Sequence, residues 1–147
     1  MELGFILGLS GLALCVLLCG IGSAVGLKTT GQAAAGILSE DPKKFSKALV
    51  LVVLPATQGI YGFVFGVIAM GNCAVGMSIA EGARVLAAAL PLGFVGLFSA
   101  VLQGKTAASC IYAVSKEESL SGKLILFPAM VETYAILALV VSLLVMA

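Results

Sequence analysis

LPATQGIYGF, Leu54 to Phe63, and FPAMVETYAI, Phe127 to Ile136, can be laid one over the other. Both carry Pro-Ala at the second and third places and Tyr at the eighth; at the sixth, the first has Gly59 and the second Glu132. The step from Pro55 to Pro128 is 73 residues, and the same offset aligns Lys43 with Lys116 and Gly31 with Gly104. The chain therefore reads as two diverged copies of one unit, residues 1–73 and 74–147, of which only the second holds the carboxylate.

The material around these segments is apolar. Of 147 residues, 61% are apolar and 10% charged, too little polar surface to cover a water-soluble domain, so the chain belongs in a bilayer. A net charge of +1 does not bear on a nucleic-acid partner, and the shortage of polar surface sets one aside. No soluble segment is long enough to carry an active site. Apolar runs cover 3–27 (helix-compatible to about Leu38), 48–71, 85–104 (running on to Ser115) and 124–147. Between them lie the polar segment 39–47, a linker with Glu81 and Arg84, and a polar turn from Lys116 to Lys123. Each run can span the roughly 30 Å of hydrocarbon at about 1.5 Å per residue. The expected fold is all-α: four transmembrane helices in two tandem hairpins, 1–73 without a carboxylate and 74–147 with one. An even number of helices separates the copies, so they lie parallel, as suits a unit that tiles into a ring.

Lys43, Lys44, Lys47, Lys116 and Lys123 fall in the hairpin turns, against Arg84 alone on the other side. The positive-inside rule puts both turns in the cytoplasm and both termini outside. The first apolar run has no basic n-region and is too long for a signal peptide; it is expected to be a retained helix. Cys15, Cys19, Cys73 and Cys110 lie within or at the ends of apolar stretches, and the chain has no His, so they read as small apolar helix residues rather than disulfide or metal partners. Gly and Ala concentrate in the first and third helices, letting their backbones approach closely, as the inner circle of two concentric rings requires.

Glu132 is the sole acid inside an apolar span. Nine residues past Lys123, it sits about 13 Å into the membrane, where an ionised carboxylate costs roughly 2.5–3.5 kcal/mol on insertion scales. In an antiparallel pair, residues at one depth have a constant index sum. A turn centred between Glu117 and Glu118 brings Gln103, the only amide in the third helix, opposite Glu132. In the first hairpin the repeat puts Gly59 at that depth, beside Thr57 and Gln58 and one turn from Tyr61. Two amides, a hydroxyl and a carboxylate make a hard-oxygen cage suited to a small alkali cation, whereas a proton needs only the carboxylate. Pro55 adds to this by freeing the carbonyl one turn back, Leu51 by direct counting. The same counting puts Lys28 at the depth of Tyr61, within reach of Glu132, but its place on the small-residue inner helix favours a lumenal position with contact to a lipid phosphate.

Over its whole length the chain resembles the membrane rotor proteolipids (c/K subunits) of rotary V-type ATPases, most closely the bacterial sodium-translocating form. The duplicated hairpin, LPATQGIYGF, Gln103 in VLQGK and Glu132 in FPAMVETY carry the likeness. The resemblance implies a Na⁺ site made by Glu132, Gln103, Thr57, Gln58 and the backbone carbonyl of Leu54, with Tyr61 fixing the carboxylate. It assigns Leu54 where counting from Pro55 gives Leu51. It further implies a bacterial plasma membrane, identical copies in a ring, membrane lipids, a stator subunit with an essential arginine, central-stalk subunits docking on the cytoplasmic loops, and ATP hydrolysis in other subunits. One carboxylate per four helices moves fewer ions per turn; with about 2.3 kcal/mol per charge per 100 mV, that favours a pump over a synthase. The alternatives are the same rotor carrying H⁺ and, more remotely, a small multidrug exporter or a structural proteolipid.

Overall fold

The computed structural model of the protein describes residues 2–146. Met1 and Ala147, the termini expected outside the cell, lie beyond that range. Four long helices span the chain: α1 (Glu2–Glu40), α2 (Pro42–Met70), α3 (Ile79–Lys116) and α4 (Glu118–Met146), with no strand among the described residues.

Their ends follow from local chemistry. Pro42 has no N–H to extend α1, and the Asp41 side chain accepts the amide of Lys43 at 3.0 Å, starting α2 with a 3-10 turn over Pro42–Lys44. In the second hairpin Glu117 accepts the amide of Ser119 at 3.2 Å and opens Glu118–Leu120 in the same way. Gly76, at φ 93°, supplies the left-handed residue in the linker between the hairpins. A capping box then starts α3: Ser78 Oγ accepts the Glu81 amide, and Glu81 Oε2 accepts the Ser78 amide at 2.7 Å.

α1 and α3 form the largest interface; α2 packs on α1, and α4 on α3. Along the α1–α3 seam the backbones are nearly bare. A Cβ on Gly11 would lie 2.7 Å from Leu86 Cα, and one on Gly104 would lie 2.5 Å from Gly26 Cα. Only glycine permits that approach, as the small residues of these two helices led us to expect. Large apolar side chains cover the outside, with Phe63, Phe98 and Leu144 60–70% exposed on the lone chain, an inversion of the water-soluble pattern.

Inside, two apolar clusters stack along the bundle. One holds Leu12, Phe65 and Leu92, the other Ile37, Leu51, Ile111 and Val114. The four cysteines are free thiols, with Cys15, Cys19 and Cys110 buried.

Two expectations shift. The cap-to-proline distance is 14 residues in the first hairpin (Asp41 to Pro55) and 11 in the second (Glu117 to Pro128), so Lys43 sits inside a turn while Lys116 ends a helix. Copying depths from one hairpin to the other therefore misplaces Lys28. Hydrogen bonds pair Ser23 with Gly59 and Thr30 with Val52, which puts Lys28 level with Leu54. That is seven residues, or about 10 Å, nearer the turn than Tyr61.

Candidate ion-binding site

The polar residues singled out in the sequence meet at one level. Pro55 interrupts α2, and Leu54–Ala56 tightens into a 3-10 turn. This turns the carbonyl of Leu54 toward Thr57, whose hydroxyl lies 3.0 Å from that oxygen and 3.3 Å from Gln58 Oε1. The Leu54 carbonyl, rather than that of Leu51 one turn back, thus stands beside the polar residues of α2.

Gln103, from α3, reaches across to α4. Its Nε2 donates to the Pro128 carbonyl at 3.0 Å and to Glu132 Oε2 at 3.3 Å. The Gln103–Glu132 pairing derived from the turn position is thereby realised. With Nε2 so engaged, Gln103 Oε1 faces the other way and accepts from Gln58 Nε2 at 2.7 Å. The second hydrogen of Gln58 Nε2 goes to Ser99 Oγ at 3.3 Å, and Ser99 in turn donates to the Val131 carbonyl at 3.1 Å. Tyr61 Oη donates to Glu132 Oε1 at 2.5 Å.

The amide hydrogens of Gln58 and Gln103 are all engaged, and the single hydroxyl hydrogen of Thr57 faces two oxygens. Oxygen lone pairs therefore outnumber protons where Leu54 O, Thr57 Oγ1, Gln58 Oε1, Gln103 Oε1 and the Glu132 carboxylate converge. Such a set can hold a hard cation that prefers oxygen. Gln58 and Gln103 are fully buried, while Leu54, Thr57, Tyr61 and Glu132 are half-buried on the lone chain, so the site opens along one side of the α2–α4 cleft.

Among the described residues no cation pairs with Glu132. The ion pairs, Lys44–Asp41 and Lys47–Glu118, both lie at the turns. Lys28 is exposed on α1 and makes no ion pair with Glu132, so of the two roles open to it the carboxylate contact is not formed.

Ser99 is the site residue that the sequence does not single out, since it counts there among the small packing residues of α3. One signal points to it: it lies four residues from Gln103, on the same helix face.

The family model for the ATP synthase C subunit matches the chain twice, over residues 10–69 and 86–145. The chain is 45% identical over 139 residues to the V-type sodium ATPase subunit K of Enterococcus hirae, covering 95% of this chain and 89% of that one. It is 39% identical over 139 residues to the A-type ATP synthase subunit K of Methanocaldococcus jannaschii, covering 95% of this chain and 61% of that one.

Proposed function

The chain belongs to the ATP synthase C subunit family, and from that premise we propose that its cargo is Na⁺, held by Glu132, Gln103, Thr57, Gln58 and the Leu54 carbonyl. It is a non-catalytic membrane subunit of a rotary ATPase, integral to the membrane, and it works in an oligomeric rotor ring with other ATPase subunits. The observation that carries the Na⁺ reading is the excess of oxygen acceptors over protons around Glu132, both amides having committed their hydrogens elsewhere. The 45% identity to a sodium ATPase subunit supports the same choice.

The mechanism follows from the cost of charge in hydrocarbon. Na⁺ cancels the Glu132 carboxylate, and the neutral pair can travel past lipid as the ring turns. Tyr61 fixes one carboxylate oxygen and Gln103 the other, so the group is ready for the ion without rearrangement. The 3-10 turn at Pro55 has the Leu54 carbonyl accept the Thr57 amide three residues on and sets it beside the Thr57 hydroxyl. Where the ring meets a stator, the ion leaves to water, and a stator arginine keeps the ion-free carboxylate from facing lipid alone.

The two copies divide at 73/74 and share the labour: 1–73 gives Leu54, Thr57, Gln58 and Tyr61, and 74–147 gives Gln103 and Glu132, one ion per chain. The lysine-bearing turns lie in the cytoplasm of a bacterial plasma membrane, where central-stalk subunits dock, with both termini outside. Lys28, exposed on the small-residue helix at the level of Lys105 on α3, contacts a lipid phosphate inside the ring.

Equilibrium binding of ²²Na⁺ to the isolated ring, with Glu132→Gln as control, tests the reading. Carbodiimide labelling of Glu132 that Na⁺ fails to slow at neutral pH would leave H⁺ as the cargo.

A further inference from the structure

The site owes its α2 ligands to a broken helix, and a broken helix in hydrocarbon needs outside partners for its backbone. Those partners come from α1, a helix that contributes no group to the oxygen cluster. On the far side of the break, the Gly59 amide donates to Ser23 Oγ at 2.7 Å. On the near side, Thr30 Oγ1 lies 3.0 Å from the Val52 carbonyl, the nearest of three carbonyls that its one hydrogen can reach, the others being those of Leu27 and Gly26 in its own helix. Between the two, Pro55 rests on the bare backbone of Gly26, where an added Cβ would come within 2.5 Å of the proline Cβ. Ser23, Gly26 and Thr30 are spaced three and four apart, one face of α1, and both hydroxyl residues are buried. Their contacts bracket residues 54 to 58, the stretch that holds the Leu54 carbonyl, Thr57 and Gln58.

The second hairpin braces its own proline differently. At the repeat positions of Gly26 and Thr30 stand Ser99 and Gln103, and these grip the Val131 and Pro128 carbonyls directly. The same place on the inner helix is a ligand in one copy and a brace in the other.

We infer that Ser23 and Thr30 are positioning residues for Na⁺, clamping the Pro55 break so that the Leu54, Thr57 and Gln58 oxygens stand at the spacing the ion requires. This rests on the Na⁺ reading. A cation needs several oxygens at fixed distances, so it feels the clamp; a proton needs only Glu132 and does not.

The test uses intact purified rings of wild type, Ser23→Ala, Thr30→Val, Thr30→Ser and, as control, Ser10→Ala, whose exposed hydroxyl serves only the Leu7 carbonyl. Three quantities are read: the Na⁺ concentration that half-protects Glu132 from carbodiimide, the pH profile of labelling without Na⁺, and the temperature of ring dissociation. Ser23→Ala and Thr30→Val should each need about tenfold more Na⁺ or beyond, as outer-sphere substitutions at ion sites do. Thr30→Ser keeps the hydroxyl and should restore most of the affinity. The Na⁺-free pH profile should stay in place. If Thr30→Val rings do not assemble, the smaller Thr30→Ala carries the same expectation. Protection unchanged in both hydroxyl-deleted variants, while wild type responds to Na⁺, overturns the clamp alone. A shift of the Na⁺-free profile as large as the loss of Na⁺ protection also overturns it, since the carboxylate itself would then have moved. Wild-type labelling indifferent to Na⁺ overturns both the clamp and the sodium reading.

Discussion

Replacing Gln103 by Leu removes a side chain that touches both Gln58 and Glu132, one from each half of the oxygen cluster. It deletes Oε1, which stands among the acceptors facing Gln58, and Nε2, which holds the Pro128 carbonyl at 3.0 Å and Glu132 Oε2 at 3.3 Å. The contact to Glu132 is lost with and without the ion, so part of that loss cancels in the affinity. The missing oxygen also leaves Gln58 Nε2 short of an acceptor in both states, so what remains in the affinity is its contact to the ion. A polar contact to a charged partner contributes about 1.5–3 kcal/mol, and about 1.4 kcal/mol is tenfold in affinity. Na⁺ binding should therefore weaken about tenfold to a hundredfold. Gln58 keeps Ser99 at 3.3 Å and Glu132 keeps Tyr61, so although the Pro128 carbonyl and Glu132 Oε2 each lose a donor, the ring should still assemble. ²²Na⁺ titration of purified rings, checked for size in detergent, measures the effect. Gln103→Asn, polar but one methylene short, should fall between Leu and wild type. Intact Gln103→Leu rings with affinity within about threefold of wild type would refute the argument, because the amide oxygen would then not be a ligand.

Gly104→Val should prevent detergent-resistant assembly, since its Cβ would collide with the Gly26 backbone, whereas Gly122→Ala, with open space around it, should not; gel mobility of the ring reads both. A charged maleimide should modify half-buried Cys73 in the linker and spare Cys15, Cys19 and Cys110, as peptide mass mapping would report. Lys28→Ala should lower the lipid retained by purified rings, measured by mass spectrometry. The Ser78 backbone N–H holds the Glu81 carboxyl below the usual carboxylate range. A folded-state pKa depressed in this way adds stability above the ordinary value of 4.5 and loses it as pH falls through the folded value. Amide protection at the start of α3, taken relative to the intrinsic exchange rate at each pH, should therefore fall in acid below pH 4.5, and a Glu81→Gln variant should not show that step.

The level at which Glu132 and Gln103 meet could be counted from sequence because the second turn is marked on both sides by charge, and the change of helix segment at Ile125 did not shift the register enough to part them. The same count carried into the first hairpin put Lys28 beside Tyr61, two turns from its actual level. The error came from assuming equal caps: Asp41 stands 14 residues before its proline, Glu117 only 11. Thr57, Gln58 and Tyr61 were legible as a group because large polar side chains are conspicuous in an apolar run. Ser23, Thr30 and Ser99 were not. A serine or threonine on an inner helix looks like one more small packing residue with a carbonyl of its own helix to bond, and only the position of a neighbouring break decides whether its hydroxyl also has a partner on another helix.

The two turns are not independent of each other. Lys44 reaches from the start of α2 to the last turn of α3, where Nζ donates to the Ser115 carbonyl at 2.7 Å, and Lys47 pairs with Glu118 at the head of α4. The first stitch caps the negative end of a helix dipole with a cation, while the second is exposed and weak alone. Together they tie the head of α2 to the end of α3 and the head of α4, and so join the two hairpins at their turns. A twisting load applied at either turn would then be carried by both hairpins rather than by one.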